Sequence, residues 1–259
     1  AHAMLLRAGV VAPAAVLQVA RLGFLALPEA ALIWTQATAT LAVVGALAAG
    51  IAALRAETPL QLAGAMVGCT VAIALVAWGG TRIVAWNGAV LLALSIGVSA
   101  GLAAIAAAGI EDDRWRRLRG APRRGMLFAL SGLAIAGMPL TPGFSGMALV
   151  ALGTWQSPWW QAPWWIAGCV LGAWMCALAA VRVAVALRRD GPPPEAPMGP
   201  GAGILLVGCV LIGLAPRVIL DRADPRTAAL LPEMLPAIAD LVDGVLSRQL
   251  PDWLRGWWL

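Results

Sequence analysis

The chain has 259 residues, of which 61% are hydrophobic and 12% charged, and its mean hydropathy of +0.84 is too high for a soluble globular domain. Its formal charge of +5 does not point to nucleic acid: the basic residues fall in loops beside apolar segments, where lipid headgroups account for them, and no nucleic-acid motif accompanies them. All 18 basic residues are arginines, so the chain holds no lysine whose proton burial could loosen.

A helix needs about 20 apolar residues to cross a ~30 Å hydrocarbon core. Segments of that kind run over 3–27, 32–54, 60–79, 83–109, 125–153, 163–187 and 201–220, which predicts an all-α polytopic membrane protein with seven transmembrane helices. The segments are long, rich in Ala, Leu and Gly, and lack the short alternating pattern of a membrane barrel.

The chain opens Ala1-His2-Ala3-Met4, with no charged region leading into a short apolar core and cleavage site, and reads as a fragment or a chain lacking its start. The first segment carries Arg7 and has Pro13 in its middle, where a helix is expected to break. After the second segment comes Arg55, then Ala56-Glu57-Thr58-Pro59-Leu60-Gln61-Leu62-Ala63 leading into the third. The third and fourth carry small polar side chains, Thr70, Asn87, Ser95 and Ser99. In the fifth, Met138-Pro139-Leu140-Thr141-Pro142-Gly143-Phe144 must interrupt the helix, because each proline lacks an N–H and clashes one turn back. Interrupted helices leave backbone dipoles inside the membrane, where transporters place ions; the plainer reading is a kink that aids packing. A linker with five prolines, 190–200, precedes the seventh segment.

Residues 1–220 are thus read as a transmembrane domain and 221–259 as an interfacial tail. In the tail Leu231, Leu235, Ile238, Leu241, Val242, Val245 and Leu246 recur at helical spacing with charges between them, describing an amphipathic helix anchored by Trp253, Trp257 and Trp258.

Loops after the second, fourth and sixth segments hold nine arginines (Arg55, Arg114, Arg116, Arg117, Arg119, Arg123, Arg124, Arg188 and Arg189), whereas those after the first, third and fifth hold only Arg21 and Arg82. The positive-inside rule makes the first set cytoplasmic and puts both ends of the chain on the opposite face. Trp34, Trp78, Trp86, Trp155, Trp159, Trp160, Trp164 and Trp165 lie at segment ends on that opposite face and read as an interfacial belt.

No catalytic constellation is present: there is no phosphate loop, no nucleophile with a base, and no paired carboxylates. Cys69, Cys169, Cys176 and Cys209 all lie within segments and read as packing residues; Cys169 and Cys176, seven apart, can face one neighbouring helix. No metal and no cofactor is expected.

The stretch Leu133-Ala134-Ile135-Ala136-Gly137-Met138-Pro139-Leu140-Thr141-Pro142-Gly143-Phe144-Ser145-Gly146-Met147 resembles the discontinuous helix of the antiporter-like membrane subunits of respiratory complex I (NADH-quinone oxidoreductase) and of multisubunit cation/proton antiporters. Its motif residues are Gly137, Pro139, Pro142, Gly143 and Phe144. Ala8-Gly9-Val10-Val11 with Arg21, the entry from Ala56 to Ala63, and Gly213 to Asp221 resemble further parts of the family in the same order, covering the second half of a family member. The resemblance implies the bacterial inner (plasma) membrane as location, other membrane subunits of a larger complex and the lipid bilayer as partners, and a proton path built on titratable side chains. At the corresponding positions this chain has Pro13, Pro59 and Met147, with Asn87 near a position often held by histidine.

Two functions follow from the resemblance. One is a structural subunit that keeps the fold and cannot itself relay protons; replacing an intramembrane lysine by methionine removes an insertion cost of about 2.5–3.5 kcal/mol. The other is a working proton or cation translocator whose donors come from outside this chain, with Arg7, Glu57 and Arg182 along a polar path beside Asn87, Thr70, Ser95 and Ser99. Arginine sets a field but does not relay a proton, which favours the structural reading. Arg7 and Arg182 can equally snorkel or pair with a carbonyl.

Overall fold

The computed structural model describes residues 9–16, 18, 31–79, 82–107, 122–188 and 200–214. All the regular structure among them is helical. A stretch over 9–16 (α1) is followed by α2 (Ala31–Leu54), α3 (Pro59–Gly79), α4 (Ile83–Ala107), α5 (Pro122–Ile135), α6 (Pro142–Trp155), α7 (Ala162–Arg188) and α8 (Pro200–Leu214). Each coincides with an apolar segment of the sequence, the fifth segment being divided between α5 and α6.

Four helices are long and apolar enough to cross a membrane, over Trp34–Leu54, Pro59–Gly79, Val84–Ala106 and Ala162–Val185. At 1.5 Å per residue the 21 residues of α3 rise about 30 Å, the thickness of a hydrocarbon core. α5, α6 and α8 are apolar but shorter. The chain is a helical membrane protein.

α3 and α4 are central. Their membrane-crossing windows are 61% and 67% buried, against 33% for both α2 and α7. α2 lies along α3 and α7, α4 lies along α6, and α8 packs on α4 and α6. The core is made largely of alanine, with Leu62, Met66, Leu92, Ile96 and Leu102 between. Lipid tails are as apolar as these side chains, so what holds the helices together is close dispersion contact, which small residues permit by letting backbones approach.

The start of α3 has a local cause. Thr58 is the N-cap: its Oγ1 accepts from Gln61 N at 3.2 Å, and Gln61 Oε1 accepts in return from Thr58 N at 3.2 Å and Glu57 N at 3.0 Å. This is a capping box, with Pro59 at the first helical position, where its missing N–H costs nothing.

Solvent exposure divides the tryptophans assigned to the belt. Trp34, Trp155, Trp160 and Trp164 are exposed, as a belt requires, but Trp78 and Trp165 are buried to 4% and 3%. Trp78 stacks on Trp86 with centroids 6.4 Å apart, and Trp165 Nε1 donates to Thr40 Oγ1 at 3.2 Å. Those side chains are core, because their helix faces point at α4 and α2 rather than outward.

Candidate functional site at the broken helix

The interruption between α5 and α6 is a compact turn over residues 136–141. α5 ends in a Schellman motif: Gly137, at φ +82°, donates its N–H to Ala134 O at 3.3 Å, and Met138 N donates to Leu133 O at 2.9 Å. Leu140 also has a positive φ, 72°, which directs the chain back toward Thr141. Thr141 has extended geometry (φ −112°, ψ 155°) and Pro142 occupies the first turn of α6.

Helix ends inside a membrane leave carbonyls that water does not reach. Here each of the last four carbonyls of α5 has a donor. Gly132 O accepts from Ala136 N at 2.9 Å, and Leu133 O and Ala134 O from the Schellman amides. Ser95 Oγ of α4 and Thr141 Oγ1 each approach Ala134 O to 3.4 Å. Thr70 Oγ1 of α3 lies 3.1 Å from Ile135 O and 3.0 Å from Met66 O, sharing its proton between them. Thr141 Oγ1 is also 2.6 Å from Met138 O. From the far side, Ser145 Oγ donates to Gly213 O of α8 at 3.3 Å.

Three helices therefore close on the break with neutral hydroxyls. A Cβ on Gly143 would collide with Ala134 O and reach Ser95 Oγ at 3.0 Å, and a Cβ on Gly213 would collide with Leu140 O. Glycine at these two positions is what lets α6 and α8 come so near.

The other residues singled out in the sequence are dispersed. Met147 is half-buried and packs over Gly137, where an added Cβ would meet its sulfur at 2.6 Å. Phe144 is 47% exposed at the outer surface of α6, and Pro139 is exposed in the turn. Pro59 is buried as the first residue of α3, a helix-starting position. Asn87 is half-buried near the start of α4. Helix α1 runs through Pro13 without a turn across 9–16, and Gly9 lies close against Gly97 and Ala100 of α4.

Glu57 and Arg182 are exposed at helix ends, away from the break. Arg182 Nη1 donates to Leu54 O at 3.5 Å, so this cation sits at the C-terminal, negative end of α2. On the opposite end of the bundle Arg82 Nε reaches Gln156 O at 3.3 Å, tying the loop before α4 to the loop after α6. Arg7 and the amphipathic tail, 221–259, lie outside the described residues.

Cys176 does face a neighbouring helix, but its partner is Cys69 of α3, with which its thiol makes a hydrogen bond. Among the described residues no group of three His, Cys, Asp or Glu side chains is placed to hold a metal ion. Glu57 is the sole carboxylate among the described residues, so within them the break has no acid, lysine or histidine near it. The arrangement of the described residues can satisfy backbone and orient dipoles.

Two polar roles escaped the sequence reading. The Thr58–Gln61 pair had the signature T-x-x-Q ahead of an apolar run, which identifies a capping box. Thr141 as a cap on the preceding helix had no such signal, since its partners depend on how the turn folds back.

No protein-family model and no curated protein sequence matches this chain. Among solved structures it is similar to a chain of "Respiratory complex I from Thermus thermophilus with bound NADH", with a TM-score of 0.71 and 21% sequence identity over 88% of this chain and 54% of that one. The present chain spans about half the length of that complex I chain and shares its fold.

Proposed function

We propose that this chain is an antiporter-like transmembrane subunit of a complex I-like membrane assembly, structural in role and itself unable to relay protons. One observation carries the reading: among the described residues, the helix break, where the resemblance places a titratable path, is satisfied by Thr70, Ser95, Thr141 and backbone amides. A hydroxyl can pass a hydrogen bond but does not hold charge near neutral pH, so such a site has no store for a proton in transit. The fold shared with a complex I chain supports the choice of assembly. In this reading the chain has seven spans, resides in the bacterial inner membrane with its arginine-rich loops on the cytoplasmic face, and contacts other membrane subunits.

The test is proton translocation by the assembled complex in vesicles carrying an internal pH-sensitive dye. Complexes with Glu57→Gln or Arg182→Ala are expected to pump at the parent rate once assembly is verified. A loss beyond about tenfold in an assembled complex, well short of the roughly hundredfold or more that a removed acid–base group costs, would overturn the structural reading.

A further inference from the structure

Helices α6 and α7 touch only sparsely, and between them lies a cavity of about 550 Å³. It is lined by Ile73 and Val76 of α3, the turn at Ala136 to Pro139, Met147 of α6 and Ala173 of α7. Phe144, Val170 and Trp174, 47%, 58% and 62% exposed, stand at its mouth, so it opens sideways on the surface that a bilayer covers.

We infer that this cavity holds one acyl chain of a membrane phospholipid, with the chain's ester carbonyl at Thr154. Four observations select that occupant, and the inference rests only on the chain lying in a bilayer, not on the proposed role in a complex. First, the lining is apolar, and such cavities stay dry, so water is not what fills it; left empty, its walls would forfeit dispersion contacts. Second, the space is too small for a partner helix, which is about 10–12 Å across with its side chains. Third, from the break to Thr154 the cavity follows α6 for about 15 Å at 1.5 Å per residue, half of a ~30 Å core and hence the depth of one leaflet. Fourth, Thr154 lines the cavity in the last turn of α6, is fully buried (0% exposed), and its Oγ1 has no partner among the described residues.

A threonine in a helix ordinarily turns its hydroxyl to a carbonyl one turn back; this one does not, and it stands where α6 reaches the tryptophan-rich loop at the membrane edge. Trp159 Nε1, in that loop, is a second buried donor with no partner among the described residues. A glycerol ester at that depth offers the acceptor that the Thr154 hydroxyl lacks.

The experiment uses the full chain, with any partners that co-purify, in vesicles of phosphatidylethanolamine and phosphatidylglycerol carrying a photoactivatable diazirine at the end of one acyl chain. After washing in detergent to strip loosely held lipid, irradiation is expected to label the segments Met138–Ala151 and Ile166–Ala177, saturating at one phospholipid per chain. Ala173→Phe fills the cavity from α7 and should abolish that label. Ala148→Phe, at an exposed position on the other wall, does the same without disturbing buried packing. Leu41→Phe on the exposed face of α2 leaves the label intact. Thr154→Val lowers retention about fivefold, the effect of one neutral hydrogen bond. Equal labelling in the parent and both cavity-filled variants overturns the assignment, as does solvent extraction that yields an isoprenoid, or no lipid, in place of the phospholipid.

Discussion

Gly137 and Leu140 both adopt positive φ, and they differ in what that costs. Glycine is at ease there, whereas Gly137→Ala adds a left-handed penalty of about 1–2 kcal/mol and presses a methyl group onto the Met147 sulfur. Denaturant unfolding in detergent should register a loss of at least that size. Leu140 already bears the penalty and is 60% exposed, so Leu140→Gly relieves about 1–2 kcal/mol of strain against roughly 0.4–1 kcal/mol of added unfolded-chain entropy, and is expected to be mildly stabilising. Met147→Lys places an ammonium in an apolar cavity; membrane insertion assays should read a cost of about 2.5–3.5 kcal/mol. Pro139, Pro142 and Gly137 made the break legible in the sequence, since two prolines and a glycine leave a helix few alternatives. The hydroxyls that cap it were legible only as polar residues, because nothing in a linear chain says that Thr70, Ser95 and Thr141 converge on one helix end.

At the scale of elements, apolar length placed α2, α3, α4 and α7 closely, as length and hydropathy are what a bilayer selects. Burial was less legible. Trp78 and Trp165 have the sequence position of an interfacial belt yet lie in the core, because which side of a helix faces a neighbour is a tertiary matter. Pro59 is similar: the resemblance puts it where a lysine is expected, and in the fold it starts α3 within a capping box. Thr58→Val should therefore lower stability by about 1 kcal/mol, with amide exchange quickening first in the opening turn of α3. Between α4 and α6 the fit is tighter still. A Cβ on Gly153 would collide with Ala85 N, and one on Gly146 would come within 2.9 Å of Gly88 O. Gly153→Val should wedge the pair apart at a cost of about 1–3 kcal/mol, measurable as a lower unfolding midpoint.

At the scale of the whole molecule, the charges among the described residues lie toward the ends of the bundle. Arg182 at the end of α2 and Arg82 at the loop after α6 bracket an interior whose polar atoms are hydroxyls, thiols and amides among the described residues. Among the described residues that interior holds no carboxylate, lysine or histidine. Order of synthesis adds a consequence. α8 is made last among the described helices, yet it is the element that lays Gly213 against Leu140 and takes the Ser145 hydroxyl. Until it emerges from the ribosome, the backbone at Leu140 and Thr141 faces hydrocarbon on that side. The nascent chain thus passes through a stage in which that side of the break is uncovered, and α8 is the described helix that closes it.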